Sequence, residues 1–324
     1  MSLKEQVLDS LLDSETEVSG EALAASLGVS RSAVWKAINQ LRDEGYGIEA
    51  GTNRGYRLTD PDDIVTPRAI ERWLTTKTLG RKIEVHRDIE STNTRCKELA
   101  AQGAPEGTLV VALAQSAGRG RMGRRFFSPD GMGIYFTVLL RPKLSADRAV
   151  MVTSMSAVAV CRALERIADV KAQIKWVNDI YIGGLKVCGI LHEAGMDFES
   201  GQLEYAAAGI GINCEPVEFP EELRGIATSV GNVCGHRISR ARVAAEVMNC
   251  MEELYDELGS ASFMAESRAR SCVLGKAVTV IRGDDRYDAR AIDIDDEGGL
   301  VVELADGTRK TVQSGEISVR VKKD

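Results

Sequence analysis

The stretch AGRGRMGRR, residues 117–125, lies between two apolar runs, GTLVVALAQ (107–115) and GIYFTVLLRP (133–142). Gly118, Gly120 and Gly123 spell G-x-G-x-x-G, the letters of a dinucleotide-binding turn. Such a turn leaves a strand and opens a helix whose N-terminus holds the pyrophosphate. Here the strand comes first, but RRFFSPDGMGIYFTV then continues as a turn and a second strand. Arg119, Arg121, Arg124 and Arg125 also oppose packing a helix against a sheet at this point. The letters therefore do not make a Rossmann unit. They make a strand–loop–strand whose loop can fold over an anion. Its glycines let the backbone approach closely, and its guanidinium groups offer forked donors to a carboxylate or phosphate. A solvated basic loop is the alternative for this segment alone. A nucleic-acid patch of the RGG type belongs in disordered tails rather than between two apolar strands.

At 324 residues the chain has room for two or three domains. Its net charge of −7 excludes a polybasic nucleic-acid binder, so any such contact needs a local basic face. Seven cysteines without a C-x-x-C pair, beside three histidines, argue against a disulfide framework and a zinc site. The start, MSLKEQVLDSLLDSE, is amphipathic and acidic rather than a signal segment, and no apolar run is long enough to span a membrane. The expectation is a reduced, soluble, cytoplasmic protein.

Three textures follow one another. Residues 1–63 alternate helical stretches with turns and end in a glycine-punctuated, strand-like piece. TDPDDIVTPR (59–68) reads as a boundary, with Thr66 and Pro67 as the N-cap and first residue of a new helix. Residues 64–270 mix strand and helix periods. STNTRCKELAAQG reads as a capped helix closed by Gly103, and ADRAVMVTSMSAVAVCRALERIADV as a buried helix. IYIGGLKVCGILHEAG reads as a hairpin turning at Gly183-Gly184, LEYAAAGIGIN as a strand, and two helices run from about 240 to 270. Residues 271–324 hold five short strands between GDD, DEGG, DG and SGE turns, a spacing that suggests a small β-barrel.

GEALAASLGVSRSAVWKAINQLRDEGYGIEAGTNRGYRL fits a winged helix-turn-helix, its two helices running from Gly20 to Asn39. Ala24 sits where two helices cross, Gly28 permits the turn, Ser30 caps the next helix, and Val34 and Ile38 face the core. The other face offers Arg31, Ser32, Trp35, Lys36 and Asn39 to bases and phosphates, and Arg54 stands at the wing tip. A generic helical domain with a solvated polar face is the alternative.

Further polar clusters occur in order: Ser91-Thr92-Asn93 opening a helix, KWVND (175–179) with Asn178 and Asp179 at a strand end, Lys186 after the glycine turn, and GIGIN (209–213) with the Asn213 amide. Each alone has an ordinary reading as a cap, turn, surface lysine or packing glycine. Together with the loop, this order resembles the bifunctional biotin protein ligase and biotin operon repressor family over nearly the whole chain. The carrying motifs are STN, Q-x-x-GRGRxGR, KW-x-ND, K-x-x-G-I-L and G-x-G-I-N.

The resemblance implies an α+β architecture. It comprises an N-terminal winged helix-turn-helix (1–63), a central α/β ligase domain like class II synthetases with a mixed sheet (64–270), and a C-terminal SH3-like β-barrel (271–324). It implies that biotin is joined to AMP from ATP and passed to a lysine of a biotin carboxyl carrier protein. Ser91, Thr92, Asn93, Gln115, Arg119, Gly120, Arg121 and Lys186 would bind biotin. Gly118, Arg124, Asn178, Asp179 and Asn213 would bear on ATP and the adenylate. Lys186, Arg121 and Asp179 would carry the chemistry, with Mg2+ arriving on ATP near Asp179 and no metal held by side chains alone. Operator DNA and a ligand-promoted homodimer are the further implied partners. The chain departs from the family at Val177, where proline is usual, and at Phe126, where tryptophan is frequent; neither departure removes a charge. A lipoate ligase-like acyl-adenylating enzyme, and a transcription factor that only senses a ligand, are the competing readings.

Overall fold

The computed structural model describes residues 2–14, 16–51, 55–197, 199, 201–282, 284–313 and 317–321. The chain separates into two compact units, residues 1–73 with 239–242, and residues 74–238 with 243–324.

In the first unit three helices, α1 (Leu3–Leu12), α2 (Gly20–Leu27) and α3 (Arg31–Asp43), precede a two-stranded antiparallel wing, β1 (Ile48–Gly51) and β2 (Gly55–Leu58). Gly28 ends α2 at φ 66°, a left-handed conformation that glycine adopts without a Cβ penalty. Ser30 caps α3 by accepting from the Ala33 N–H at 3.2 Å. Val34, Ala37, Ile38 and Leu41 recur at helical spacing and are buried, so the opposite face of α3 is left to solvent. A short helix α4 (Pro67–Glu71) starts at Thr66, whose hydroxyl accepts from the Ala69 N–H.

The second unit is built on a seven-stranded mixed sheet in the order β3-β4-β5-β9-β8-β7-β6. Its strands are β3 (Lys82–Ile89), β4 (Thr108–Gln115), β5 (Gly133–Leu140), β6 (Ala172–Lys175), β7 (Asp179–Ile182), β8 (Leu185–Met196) and β9 (Leu203–Asn213). Only β3 and β4 pair in parallel, joined across α5 (Thr92–Ala101); the other ladders are antiparallel. The strand–loop–strand reading at 107–142 is thus an antiparallel β4–β5 pair. All eight residues of β5 are buried, as its unbroken apolar run requires. The long helix α6 (Val150–Ala168) is buried over most of its length and packs on the sheet. Gly183 and Gly184, at φ 59° and 82°, make the β7–β8 turn, where both central residues need positive φ.

Three helices follow, α7 (Val230–Cys234), α8 (Arg240–Tyr255) and α9 (Met264–Arg270). The tail forms a five-stranded antiparallel sheet in the order β13-β12-β11-β10-β14. Its strands are β10 (Ala277–Arg282), β11 (Asp285–Ile294), β12 (Leu300–Glu303), β13 (Arg309–Val312) and β14 (Ile317–Val321). The five strands follow the sequence reading, as do the turns at DEGG and DG, while Gly283 of the GDD turn and the SGE turn lie outside the described residues.

A buried bond ties the turn between β11 and β12 to the loop between β6 and β7: the Trp176 indole N–H donates to the Gly298 carbonyl at 3.0 Å. Trp176→Phe keeps the ring's bulk and leaves that carbonyl without its donor. We expect a loss of about 1–3 kcal/mol, the usual cost of an orphaned buried partner. Urea unfolding monitored by circular dichroism checks this; an unchanged midpoint would remove Trp176 as a tie.

Candidate functional site

A cavity of about 250 Å³ opens on the face of the seven-stranded sheet. Its lining brings together Ser91, Thr92, Asn93, Gln115, Arg119, Gly120, Arg121, Arg124, Asn178, Asp179 and Lys186, which lie apart in sequence. Two expected residues are not on its wall. Asn213 is buried, and its amide donates to the Thr228 carbonyl at 3.0 Å, holding a neighbouring loop. Gly118 lies behind the wall. An added Cβ there would sit 2.6 Å from Ser128 Oγ and 2.8 Å from the Phe126 carbonyl, so only glycine lets the loop leave β4 this closely.

The loop closes on itself through the Gly120 N–H to the Arg124 carbonyl at 2.7 Å and the Phe126 N–H to the Gly118 carbonyl at 2.9 Å. This directs Arg121 inward, where Nη1 donates to Asn178 Oδ1 at 3.2 Å. Burial, then the like charge of Arg124, pushes the Arg121 guanidinium below its ordinary value, against the pull of Asp179. A cation held this way is stabilised by an arriving anion.

Lys186 donates from Nζ to Asp179 Oδ1 at 2.6 Å, with both side chains partly buried. The backbone of Lys186 is clamped on both sides, its N–H to the Ile226 carbonyl at 3.0 Å and its carbonyl to the Thr228 N–H at 2.9 Å. Among the described lining residues stand Arg119, Arg121, Arg124, Arg125, Lys175 and Lys186, against Asp179 as the one carboxylate. No cysteine or histidine is among them. The site is therefore suited to neutralising anions rather than to nucleophilic catalysis by the protein.

Around Ser91, Thr92 and Gln115 the lining side chains are neutral and polar, with Arg119 nearby, 3.8 Å from Glu90. Ser91 holds the N-cap position of α5 but makes no side-chain cap bond, which corrects the capped-helix reading. Instead Gln115 Oε1 accepts from the Thr92 N–H at 2.9 Å, so a strand side chain takes over the helix terminus. Asn93 and Thr137 continue this polar line inward. The floor is bare backbone. A Cβ at Gly211 would lie 2.5 Å from the Phe126 ring, and one at Gly209 would lie 2.0 Å from Asn93 Oδ1.

Sequence reasoning placed Arg125 in the anion-binding loop without assigning it a site role, and missed Lys175, Trp176, Gly189 and Phe126 as lining groups. Phe126 sits edge-on to Tyr135, ring centroids 6.3 Å apart, with Lys186 Nζ 5.7 Å from its centroid. Its flanking glycines on separate strands gave no local signal. Val177, the other departure, follows a cis peptide bond and is buried.

On the first unit, Arg31, Ser32, Trp35 and Lys36 are exposed on one face of α3 and Asn39 is half-buried. Trp35 is 56% exposed, uncommon for so large an apolar group and fitting for a contact face. Arg54 lies outside the described residues.

Known proteins give the same picture. Residues 85–213 match the biotin/lipoate A/B protein ligase family, residues 4–57 a helix-turn-helix domain, and residues 273–320 the biotin protein ligase C-terminal domain. The bifunctional ligase/repressor BirA of Bacillus subtilis is 38% identical over 300 residues, 90% of this chain and 91% of that one. Its Escherichia coli namesake is 28% identical over 305 residues, 93% and 92% of the two chains. A biotin protein ligase from Aquifex aeolicus, solved in complex with biotin and ATP, superposes with a TM-score of 0.65 at 27% identity, covering 75% of this chain and all of that one. The chain belongs to the bifunctional biotin protein ligase and repressor family.

Proposed function

We propose that the protein joins biotin to AMP at this cavity, transfers the biotinyl group to a lysine of a biotin carboxyl carrier protein, and represses biotin genes through its winged helix. The observation that carries the ligase reading is one cavity that joins the Lys186–Asp179 pair and Arg121 to the uncharged side chains of Ser91, Thr92 and Gln115. A carboxylate and a triphosphate meet at the first group, and an uncharged polar ring is held at the second. Proposed boundaries are 1–63, 64–270 and 271–324, supported by the wing ending at Leu58, the prolines at 61 and 67, and the end of α9 at Arg270.

In the first step a biotin carboxylate oxygen attacks the α-phosphorus, and the bond to the β-phosphate oxygen breaks to release pyrophosphate. Two anions must approach. At 4 Å their repulsion is about 1 kcal/mol in water and about 4 at an effective dielectric near 20. Lys186 is placed to offset this, leaving its partner Asp179 as the charges rearrange. Arg121 and the neighbouring loop arginines add donors and exclude water from the mixed anhydride. In the second step the carrier lysine amine attacks the acyl carbon, AMP leaves, and the amine loses a proton. Catalysis is positioning and charge stabilisation.

No group of three or more metal-ligating side chains occurs among the described residues. One carboxylate beside substrate phosphates is nevertheless the usual protein share for magnesium. Asp179 would hold an ion borne by ATP, which would supply neutralising charge at the phosphates. No helix among the described residues is long and apolar enough to cross a membrane.

One winged helix offers few phosphate contacts, whereas two copies in a symmetric dimer engage two half-sites. Dimerisation is promoted in this reading by the adenylate, through tighter binding to the dimer-competent state.

Lys186→Ala is expected to slow biotin-dependent ATP–pyrophosphate exchange by roughly 10²–10³, about 2.7–4 kcal/mol, with the fold intact; exchange at the parent rate would remove Lys186 from the chemistry. Hydrogen exchange at residues 117–125 is expected to slow when biotinyl-adenylate binds, because the ligand gives four like charges an anionic partner; equal protection with and without it would count against the loop as a clamp. Biotin plus ATP is expected to tighten binding to a palindromic operator, steeply dependent on salt. Arg31→Ala or Lys36→Ala should weaken that binding and spare adenylation. A DNA titration at fixed salt, with and without adenylate, decides the repressor reading.

A further inference from the structure

A line of hydrogen bonds runs from α5 and β8 into the neutral, polar part of the cavity lining. Lys97 Nζ lies 2.5 Å from Glu193 Oε1, and Glu193 Oε2 accepts from Asn93 Nδ2 at 2.9 Å. Asn93 Nδ2 also donates to the Leu191 carbonyl at 3.1 Å. A carboxylate and a carbonyl only accept, so the amide nitrogen must face them. Asn93 Oδ1 therefore faces Thr137 Oγ1, 2.7 Å away. Thr137 has a single hydroxyl proton, and two acceptors lie within reach, Asn93 Oδ1 and Thr92 Oγ1 at 2.8 Å. Asn93 Oδ1 can only accept, whereas Thr92 carries a proton of its own, with Gln115 Oε1 at 3.1 Å to receive it. The Thr137 proton thus goes to Asn93, and a lone pair of Thr92 Oγ1 stays open to the cavity.

Were the Asn93 amide reversed, its nitrogen would donate to Thr137, whose proton would then turn onto Thr92 and fill that lone pair. The amide cannot avoid the choice by moving aside, because it lies against the bare backbone of Gly209. We propose that Glu193, pinned by Lys97, is a positioning residue for ligand specificity: it fixes the Asn93 amide so that Thr92 meets the ligand as an acceptor, matched to a ureido N–H. This rests on reading the cavity as the biotin site. Burial alone pushes the Glu193 carboxyl up, but the bonds from Lys97 and Asn93 outweigh it and hold it below its ordinary value. It therefore stays ionised at neutral pH.

The test exchanges the charges and keeps the ion pair. In Lys97→Glu/Glu193→Lys the introduced ammonium faces Asn93, and a charge-assisted bond outcompetes the neutral Leu191 carbonyl for the amide's orientation. Pyrophosphate exchange by the full chain should show biotin KM raised tenfold or more, with ATP KM and the thermal midpoint near parental values. A parental biotin KM, or an ATP KM rising in parallel, overturns the proposal. Asn93→Asp is the second probe. It places a carboxylate against Glu193 and should raise biotin KM, and adding Glu193→Gln, which offers an amide donor back, should recover most of the loss. No recovery overturns the proposal equally. Biotin-dependent exchange by the parent protein is scored first, so failure of the biotin reading is seen separately from failure of the Glu193 role.

Discussion

The crowding of like charge around Asp179 governs the site. Six cationic side chains line one cavity with one carboxylate; Arg119, Arg124 and Arg125 are exposed, and Arg119 also lies 3.8 Å from Glu90, whereas Arg121 and Lys186 are partly buried. The Lys186–Asp179 bond at 2.6 Å relieves part of this excess, and Asn178 takes one Arg121 donor. What remains falls on Arg121, whose guanidinium is held below its ordinary value by burial and by Arg124 and is stabilised by an arriving anion. The cost falls on the loop, where glycines keep the backbone able to bring arginines together. It is returned when a triphosphate or an acyl-phosphate enters. The same excess explains why no nucleophilic side chain is needed: the difficulty of joining two anions is electrostatic, and the cavity answers it in kind.

That demand has to be met at the surface of a sheet, which fixes where side chains can be omitted. Gly189 pairs with Gly211 and Leu191 with Gly209 across β8 and β9, so the bare positions fall side by side. Phe126 rests on the first pair and the Asn93 amide on Gly209. A one-residue slip of β9 would move both glycines to the other face and put Ile210 or Ile212 under the ligand. Register here is set by the buried, alanine-rich stretch Ala206–Ala208 and by β5, which is apolar throughout. Core packing thus sets the depth of the cavity as directly as its lining does.

Much of this was legible in the sequence, for identifiable reasons. Period and punctuation gave the helix-turn-helix, the Gly183-Gly184 turn and the tail's five strands, because each is decided by local rules of capping and positive φ. The charged site residues were legible as types and as an ordered set of motifs. Interactions made by residues distant in sequence were not. Nothing near Asn213 announces that its amide is spent on Thr228, fifteen residues away. Nor does anything near Ser91 announce that Gln115 takes over the helix terminus. Phe126 and Lys175 escaped for the same reason: a ring and an ammonium become lining groups only when β4, β6, β8 and β9 are assembled.

The two activities are separated within the chain, and this constrains how they can communicate. Every lining residue of the cavity falls between Ser91 and Gly211, in the second unit, whereas the exposed face of α3 belongs to the first. The adenylate therefore has no group on the recognition helix to hold directly. Any effect it has on DNA must come from favouring one state of the protein over another, and the size of that effect is bounded by its differential affinity for the two states. A coupling of 1–3 kcal/mol, the usual range, changes operator affinity by roughly 5–150-fold. Linkage then requires the reverse: operator DNA must tighten adenylate binding by the same factor. Under the proposed coupling, an unspent adenylate would be retained where the operator is occupied, and a carrier protein that consumes it would compete with repression without touching DNA.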